Sequence, residues 1–432
     1  MKFTVCNLGC KVNAYEAESI SEALIQKGWQ RAEEEDDVDA VLIFTCAVTN
    51  MAASKSRKQL HKAVRQHPHA VKVAAGCYAQ LNDGLLQDAD IIVGSSHKKD
   101  IPAYIDQYLQ DHQKIAVLDD LSAAVFEQLP VNHFENHSRG VLKIQDGCNQ
   151  FCSYCVIPYV RGRERSLAPD EVIQEAREIA MVHSEIVLTG IHTGRYGHEY
   201  GMTLAQLIQR ILKEVPALKR LRISSIEVTE LSDEFIELMK NEPRIARHLH
   251  IPLQSGCDAV LQKMNRPYDT KEYYDKIEHI REEIPEIAIS CDVIVGFPGE
   301  SDEMFEETYA FLKKCRFSFL HVFPYSLREG TLASQMPCQV DPQIKKERAA
   351  RCTALSQQLS DAYQQSKTGT MAEVITELPE GDTTPGHTSD YIPVKILHQN
   401  YPRGTFVKVL LKEYNGHQMT AEAESVIKDE TI

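Results

Sequence analysis

Residues 140–155 read GVLKIQDGCNQFCSYC, an apolar run that leads into three cysteines. The run predicts a buried β-strand over 141–145, and Cys148, Cys152 and Cys155 follow it in a CxxxCxxC frame. Three thiolates at this spacing can hold three irons of a [4Fe–4S] cube and leave the fourth iron open to a ligand. The frame is asymmetric and no further Cys or His follows at zinc-ribbon distance, so a zinc site is the less favoured alternative.

Strands and helices continue to alternate after the cysteine loop. A helix is predicted over 170–182 and another over 342–365. Further strands are predicted at 185–189, 220–224, 248–251, 287–295 and 318–323. Six strands alternating with helices predict a complete or partial TIM-like barrel, whose active site lies at the C-terminal ends of the strands. The cysteine loop follows the first strand at such an end.

Residues 1–113 show the same alternation with shorter elements. Strands are predicted at 3–7, 40–44, 71–75 and 91–93, and helices at 15–27, 52–66 and 101–111. The short connections between these elements predict a doubly wound parallel sheet in an α/β chain.

Three more cysteines follow the first three of these strands. Cys10 comes after the first strand, Cys46 after the second and Cys77 after the third. Ligands of open α/β sheets bind beyond the carboxyl ends of the strands, so the three thiols are expected to converge. This convergence favours a second three-thiolate metal site, and three unrelated buried thiols are the alternative. Cys6 lies inside the first strand and is expected to be a small core residue.

The rest of the chain divides into a linker and a small β domain. Residues 114–138 show no sustained periodicity and are predicted to be a linker between segments 1–113 and 139–366. In the last segment, 367–432, strands are predicted at 372–377, 391–397, 406–411 and 419–426. Short alternating strands with Gly and Pro turns indicate an all-β barrel of OB-like size.

Composition restricts the cellular setting. The chain has 432 residues, 43% of them hydrophobic and 25% charged, as in soluble globular proteins. No apolar run approaches the roughly 20 residues that span a bilayer, and the N-terminus lacks a signal pattern, so we expect a cytoplasmic protein without a membrane partner. Twelve cysteines in that setting indicate metal or catalytic thiols rather than disulfides.

The net charge of −15 is unfavourable for nucleic-acid binding, but the basic residues are unevenly distributed. Six Lys or Arg and no acidic residue fall within 52–72, and 391–412 is likewise free of acids. Candidate phosphate contacts in these stretches are Lys55, Arg57, Lys58, Lys395, Arg403, Lys408 and Lys412. The alternative is that both stretches are solvated surface.

Several segments together resemble the radical S-adenosylmethionine (SAM) methylthiotransferases over essentially the whole chain. The matching segments are LGCKVN (8–13), TCAVTN (45–50), GCYAQ (76–80), GCNQFCSYCVIPYVRGRERS (147–166), LTGIHTGRYG (188–197), SSIEV (224–228), HLHIPLQSG (248–256) and GFPGE (296–300). The resemblance implies a methylthiotransferase domain over 1–113, a radical SAM core with a partial TIM barrel over 139–366, and a TRAM domain over 367–432 that holds tRNA.

The resemblance also implies two [4Fe–4S] clusters with separate tasks. Cys148, Cys152 and Cys155 would bind the cluster whose open iron chelates SAM, and one-electron reduction would then yield a 5′-deoxyadenosyl radical. Cys10, Cys46 and Cys77 would bind an auxiliary cluster whose open iron carries the sulfur to be transferred. An electron donor such as flavodoxin or ferredoxin would supply the reducing electron.

Other residues of these motifs are candidates for ligand contacts. A SAM pocket would be lined by Tyr154, Gly190, Ser225, Glu227, Gln254 and Gly296. The alternative for each is packing or hydrogen bonding at the barrel rim. Arg161 and Arg163 would meet RNA phosphate or the SAM carboxylate, or else pair with Glu164 at the surface.

The form of two motifs resembles one branch of the family. CKVN (10–13) and GIHTGRYG (190–197) are most similar to enzymes that methylthiolate C2 of N6-threonylcarbamoyladenosine at position 37 of tRNA, beside the anticodon. Isopentenyl-modified adenosine in tRNA and an aspartate of a ribosomal protein are the alternative substrates. An RNA-binding iron–sulfur sensor and a zinc-stabilised structural protein are the non-enzymatic alternatives.

Overall fold

Three folded units follow one another in the computed structural model, which describes residues 1–33, 37–82, 84–131 and 137–427. Within these ranges no helix has the length and apolar character needed to cross a membrane. Residues 132–136 of the predicted linker and 428–432 of the predicted C-terminal domain lie outside the described residues.

The N-terminal unit is a six-stranded parallel sheet with helices on both faces. Its elements are β1 (Lys2–Asn7), α1 (Lys11–Gln26), β2 (Gln30–Arg31), β3 (Ala40–Thr45), α2 (Asn50–Gln66), β4 (Val71–Gly76), α3 (Cys77–Leu81), β5 (Ile91–Val93), α4 (Ile101–Asp111) and β6 (Ile115–Val117). The strand order is β2-β1-β3-β4-β5-β6. Helices α1 and α4 pack on one face and α2 on the other, so β3 and β4 are buried along their whole length. The predicted doubly wound sheet is confirmed.

Strand β6 shows that the prediction of a linker from residue 114 is wrong. Residues Ile115–Val117 pair in parallel with Ile91–Val93 and form the edge of the sheet. An edge strand of three partly exposed residues is too short for its alternation to differ from that of a loop.

The central unit is an arc of six parallel strands with helices outside it. Its elements are β7 (Gly140–Lys143), β8 (Gln145–Asp146), α5 (Ile157–Arg161), β9 (Arg165–Ser166), α6 (Pro169–Ala180), β10 (Glu185–Thr189), α7 (Leu204–Glu214), β11 (Arg220–Ile223), α8 (Asp233–Asn241), β12 (His248–His250), α9 (Asp258–Lys263), α10 (Thr270–Glu283), β13 (Ala288–Val295), α11 (Asp302–Cys315), β14 (Phe319–Pro324), α12 (Leu332–Gln335) and α13 (Pro342–Ser366). Strands β7, β10 and β11 form one sheet and β12, β13 and β14 the other, joined by a bridge from Leu221 to Ile245. The partial barrel is confirmed.

The C-terminal unit is a closed five-stranded barrel. Its strands are β15 (Met371–Thr376), β16 (Thr384–Thr388), β17 (Pro393–Ile396), β18 (Phe406–Tyr414) and β19 (Met419–Val426). The small all-β barrel is confirmed, although β16 was not predicted, because its sequence TPGHT contains Pro and Gly. Buried Arg220 and Arg222 of β11 attach this barrel by donating to the carbonyl groups of Glu373 and Thr388.

One continuous apolar core joins the N-terminal sheet to the central barrel. Tyr15 and Ile20 of α1 belong to the same buried cluster as Leu142 of β7 and Ile179 of α6. The Tyr15 hydroxyl also donates to a Glu175 carboxylate oxygen at 2.8 Å. Helix α1, which begins directly after Cys10, is therefore held in a fixed position against the barrel.

Candidate active site

The CxxxCxxC loop leaves the barrel at the C-terminal end of β7. Gly147 begins the loop with φ of +72°, and a Cβ at this position would lie 1.9 Å from the Arg163 carbonyl oxygen. Only glycine fits this turn. The Cys148 amide then donates to the Gly162 carbonyl at 3.1 Å, which ties the start of the loop to the segment after α5.

Hydrogen-bond donors surround the three sulfur atoms of this loop. The Gln150 amide lies 3.4 Å from Cys148 Sγ, and the Ile157 amide lies 3.4 Å from Cys155 Sγ. The Arg266 guanidinium donates to Cys152 Sγ at 3.3 Å. Burial raises the pKa of Cys155 to about 12, so its thiolate requires a bound cation at neutral pH. The donors are placed where metal-bound thiolates need them.

Residues 263–266 hold the loop from outside, a role that the sequence analysis missed. The Ser153 amide donates to the Met264 carbonyl at 3.0 Å, and the Ser153 hydroxyl donates to the Lys263 carbonyl at 2.8 Å. The Asn265 side chain donates to the Phe151 carbonyl at 3.1 Å. Phe151 itself has a left-handed backbone, with φ of +49°. A local sequence pattern cannot predict these contacts, because more than 100 residues separate the partners in the chain.

The other three cysteines lie at the ends of adjacent strands. Cys10 is the N-cap residue of α1, Cys46 follows β3 and Cys77 is the first residue of α3. Burial, together with the nearby Cys77 and Cys10 thiols, raises the pKa of Cys46 to about 11. The three strands β1, β3 and β4 are neighbours in the sheet, so the structure brings these thiols to one edge.

Motif residues beside these cysteines connect the three turns. The buried Asn13 side chain donates to the Thr45 carbonyl at 2.9 Å. The Thr45 hydroxyl donates to the Ala75 carbonyl at 2.8 Å and accepts from the Ala79 amide at 3.1 Å. Gly9 lies against Asn13, since a Cβ at residue 9 would lie 2.1 Å from its Nδ2. The GCKVN and TC motifs thus position Cys10, Cys46 and Cys77 relative to one another.

The spacing of the sulfurs fits a cluster better than a single zinc ion. Across the described residues, neither cysteine triplet has its three sulfurs within 4.8 Å of one another. Two sulfurs bound to one zinc at about 2.3 Å cannot be more than about 4.6 Å apart. The wider spacing is compatible with thiolates on separate irons of one cube, and each triplet would supply three such thiolates.

The predicted contact between Arg161 and RNA or SAM is wrong, because the Arg161 side chain is completely buried within the protein. Its Nη1 and Nη2 donate to Glu16 at 2.5 and 3.1 Å, and Nη2 also donates to Asn13 at 2.7 Å. Its Nε donates to Cys77 Sγ at 3.0 Å. Asp146 lies 3.3 Å from the same guanidinium. Arg161 therefore connects the segment that carries the CxxxCxxC loop to the turns that carry Cys10 and Cys77.

The ion-pair network around Arg161 spans the interface between the first two units. Lys143 and Lys98 also approach Glu16, at 2.9 and 3.5 Å. Burial opposes ionisation of Glu16, but Arg161, Lys143 and Lys98 lower its pKa to about 2. Each charge in the network depends on the presence of the others, because none is exposed to water.

Substituting Arg161 by leucine is expected to destabilise the protein by about 3–5 kcal/mol, because Glu16 and Asp146 would stay buried without their partner. Urea unfolding of the anaerobic protein, followed by circular dichroism, measures this loss. The matched control is Arg351→Leu, since Arg351 pairs with Glu306 at the exposed surface and should contribute at most about 1 kcal/mol. Equal midpoints for the two variants would contradict a structural role for the network.

The remaining SAM candidates lie at or near the C-terminal ends of the barrel strands. Tyr154 packs against the buried cluster of Phe297 and Met264, which agrees with the packing alternative. Gly190 and Ser225 line a cavity between the three units. Glu227 forms an ion pair with Arg266, the residue that donates to Cys152.

Gln254 and Gly296 both have left-handed backbones beyond the strand ends. Their φ angles are +70° and +73°. The Gln254 amide donates to the Asp292 carbonyl at 2.9 Å, and the Gly296 amide donates to Glu300 at 2.6 Å. These contacts shape the rim of the barrel.

The predicted RNA contacts differ in their availability. Lys55, Lys58, Arg163 and Lys408 are exposed. Arg57 instead donates to the Tyr78 hydroxyl at 2.6 Å, while Lys395 and Lys412 pair with Glu380 and Glu422 at 3.2 and 3.0 Å. Arg403 is partly buried. In the C-terminal barrel Lys395 and Lys412 therefore have acidic partners at the surface, whereas Lys408 forms no ion pair among the described residues, and RNA contact by these residues stays a prediction.

A cavity of about 840 Å³ lies where the three units meet. Cys10, Lys11 and Val12 contribute from the N-terminal unit. The barrel contributes Thr189, Gly190, Arg222, Ile223, Ser224, Ser225, His248, His250, Ser290, Asp292, Ser318, Phe319, His321 and Phe323. Helix α13 and the C-terminal barrel contribute Ser360, Tyr363, Gln364, His387, Asp390, Tyr391, Ile392 and Pro393. The volume and mixed lining are those of a small-molecule or nucleoside site.

Tyr391, a residue of the C-terminal barrel, forms part of the cavity wall. It has an unusual φ of +72° for a residue with a side chain. Its ring stacks on His248 with centroids 5.2 Å apart, and the Arg222 guanidinium lies 4.7 Å from its centroid. A strained residue held by these contacts at a cavity wall indicates a functional role for the wall.

Comparisons with known proteins agree with this arrangement. Residues 142–312 match the radical SAM superfamily, and residues 2–94 match the uncharacterized protein family UPF0004. The solved radical SAM methyltransferase TsrM from Kitasatospora setae, with cobalamin and a [4Fe–4S] cluster bound, shares the fold with a TM-score of 0.56 and 14% identity. That similarity covers 77% of each chain.

Curated relatives are similar over nearly the whole length. The chain is 41% identical to the threonylcarbamoyladenosine tRNA methylthiotransferase MtaB of Bacillus subtilis, over 95% of this chain and 97% of the relative. It is 35% identical to the protein of that name from Aquifex aeolicus, over 95% and 100%. Identity to the tRNA-2-methylthio-N(6)-dimethylallyladenosine synthase of Clostridium botulinum is 30%, over 98% and 96%. The chain therefore belongs to the MtaB-type tRNA methylthiotransferases of the radical SAM superfamily.

Proposed function

We propose that this protein transfers a methylthio group to C2 of N6-threonylcarbamoyladenosine at position 37 of tRNA. The observation that carries the proposal is the shared cavity, in which Cys10 and the strand ends of the radical SAM barrel line one space. A base in this cavity would contact both halves of the chemistry at once. The names of the relatives with 35–41% identity support the choice of threonylcarbamoyladenosine over isopentenyladenosine.

The proposal assigns each cysteine triplet to one [4Fe–4S] cluster. Cys148, Cys152 and Cys155 would hold the cluster that binds SAM, and Cys10, Cys46 and Cys77 would hold the auxiliary cluster. When bound, the first cluster with SAM supplies the radical that removes a hydrogen atom from the substrate, and the second supplies the methylthio group.

The protein's own residues would bind, orient and shield these groups. Arg266 and the backbone amides after Cys148 and Cys155 donate to the thiolates and fix their directions. Gly190 and Ser225, which line the cavity at the ends of β10 and β11, would lie beside SAM. Burial of the cavity walls would exclude water from the reactive groups.

The partners follow from this chemistry. The anticodon stem-loop of tRNA would approach the cavity, with exposed Lys55, Lys58 and Lys408 as candidate phosphate contacts. A flavodoxin or ferredoxin would deliver the electron. Because its substrate and reductant are cytoplasmic, we place the protein in the cytoplasm.

The test is a parallel assay of three substrates with the anaerobically reconstituted protein. The substrates are tRNA carrying threonylcarbamoyladenosine, tRNA carrying isopentenyladenosine, and the ribosomal protein with the target aspartate. Mass spectrometry of the digested products should find methylthiolation of the first alone, together with 5′-deoxyadenosine. Modification confined to either other substrate would reject the proposed substrate, and absence of SAM cleavage under reduction would favour a non-catalytic sensor.

A further inference from the structure

We propose that Lys11 forms a binding site for the carboxylate of the threonyl group of the substrate. This inference rests on the proposed function and names the residue that would select the substituent at N6. It starts from the position of Lys11, which is the first residue of α1 and directly follows Cys10. Both residues line the cavity, and the Lys11 side chain is exposed to it.

Lys11 is a cation without a protein partner. Throughout the described ranges, no carboxylate or carbonyl oxygen forms an ion pair or side-chain hydrogen bond with its ammonium group. Arg222, the other Lys or Arg of the cavity lining, is already engaged, since its Nε donates to Glu185 at 2.8 Å and its Nη atoms donate to Ser389 and Thr388 carbonyl groups. The Lys11 ammonium group is therefore available to a ligand.

The acidic residues of the cavity do not neutralise Lys11. Two described lining residues are acidic, and both have other partners. Asp292 lies 3.2 Å from His250 Nε2. Asp390 lies 3.3 Å from Lys367 Nζ and accepts a hydrogen bond from Tyr363 at 2.7 Å. The cavity lining thus balances two cations with two carboxylates, and among these four charges in the described residues only Lys11 has no ion-pair or hydrogen-bond partner, which an anionic group would supply.

A second lining residue offers a polar group without a partner. Ser224 Oγ is shielded from water and has no hydrogen-bond partner among the described residues. A buried hydroxyl left unpaired is unfavourable, so a ligand that supplies an oxygen would be favoured here. The threonyl group offers both a carboxylate and a hydroxyl to such a wall.

The chemistry of the base places the threonyl group near Lys11. In adenine, C2 and the carbon that bears N6 flank the same ring nitrogen, N1. If C2 faces the auxiliary cluster bound by Cys10, the N6 substituent extends along the same edge of the base. The residue next to Cys10 is then suitably placed to receive its carboxylate. An isopentenyl group has no charge and would leave the Lys11 ammonium group unpaired, which would disfavour it.

The test compares binding of two anticodon stem-loops to wild-type protein and variants. One stem-loop carries threonylcarbamoyladenosine, and in the other its carboxylate is replaced by a carboxamide. Wild-type protein should bind the carboxylate stem-loop about 10- to 100-fold more tightly by fluorescence anisotropy, as expected for a charged hydrogen bond. Lys11→Gln should bind both equally, whereas Lys11→Arg should retain the preference.

The control and the contradicting results are separate from those of the proposed function. Lys271→Gln, at an exposed helical pair with Asp275, should behave as wild type, and iron counting will show that each variant keeps its clusters. Wild-type protein that binds both stem-loops equally, or Lys11→Gln protein that retains the preference, would overturn the inference. Either result leaves methylthiolation of threonylcarbamoyladenosine intact, while failure of wild-type protein to modify it would reject the proposed function itself.

Discussion

Cys152→Ser protein is expected to lose both SAM cleavage and methylthio transfer. The substitution removes one of three thiolates from the loop and leaves the Arg266 guanidinium without the sulfur to which it donates at 3.3 Å. Because the three cysteines of the loop are expected to act as a unit, loss of one thiolate should lower both activities by about a thousandfold or more. Production of 5′-deoxyadenosine under reduction, measured by liquid chromatography, reports the first loss, and mass spectrometry of tRNA nucleosides reports the second.

The matched control for this variant is Cys338→Ser. Cys338 is an exposed free cysteine outside both triplets, so its variant should keep both activities. If Cys152→Ser protein still produced 5′-deoxyadenosine at the wild-type rate, the assignment of the CxxxCxxC loop to SAM cleavage would be wrong.

Cys46→Ser protein is expected to show a different loss: methylthio transfer disappears, whereas SAM cleavage continues. Cys46 is buried at the end of β3, among the auxiliary cysteines and away from the CxxxCxxC loop in the chain. The transfer should fall by about a thousandfold or more, as for other groups that act as a unit. Iron and sulfide should each fall from about eight to about four per chain.

The two cysteine variants together test the division between the clusters. An intact radical SAM half should leave 5′-deoxyadenosine production by Cys46→Ser protein within a few-fold of wild type. Complete loss of SAM cleavage in this variant, with its fold preserved, would show that the two sites are not independent. The Arg161 network, which touches Cys77 and Asp146, is the structural route by which such coupling would arise.

Much of the architecture follows from local patterns. Buried runs such as AVLIF over 40–44 alternate with helical segments, and a parallel sheet is the arrangement that buries them on both faces. The strands that were not predicted include β2, β6, β9 and β16, which have weak patterns: the first three are two or three residues long, and β16 contains Pro and Gly. Local sequence does not distinguish such segments from loops, because contacts with distant strands hold them in place.

In the candidate site, too, distant contacts decide the environment of single residues that look alike in the sequence. Arg161 and Arg163 occupy similar positions in the sequence, yet the structure buries the first and exposes the second. Glu16 and Cys77, the partners of Arg161, lie 145 and 84 residues away in the chain. Sequence spacing alone therefore cannot distinguish a charged residue that is buried by such distant partners from one that lies at the surface.

Cysteine identity and spacing therefore indicate the kind of metal site before any folding is considered, because the number and order of candidate thiolates depend on nearby residues. Only the tertiary structure shows which residues of each motif contact residues of the other motifs. It places Cys10 and Lys11 in one cavity with the barrel strand ends and Tyr391, and it turns Arg161 from a surface cation into an interface residue. These outcomes depend on packing between three separate units, and packing between units has no signature in a local stretch of sequence.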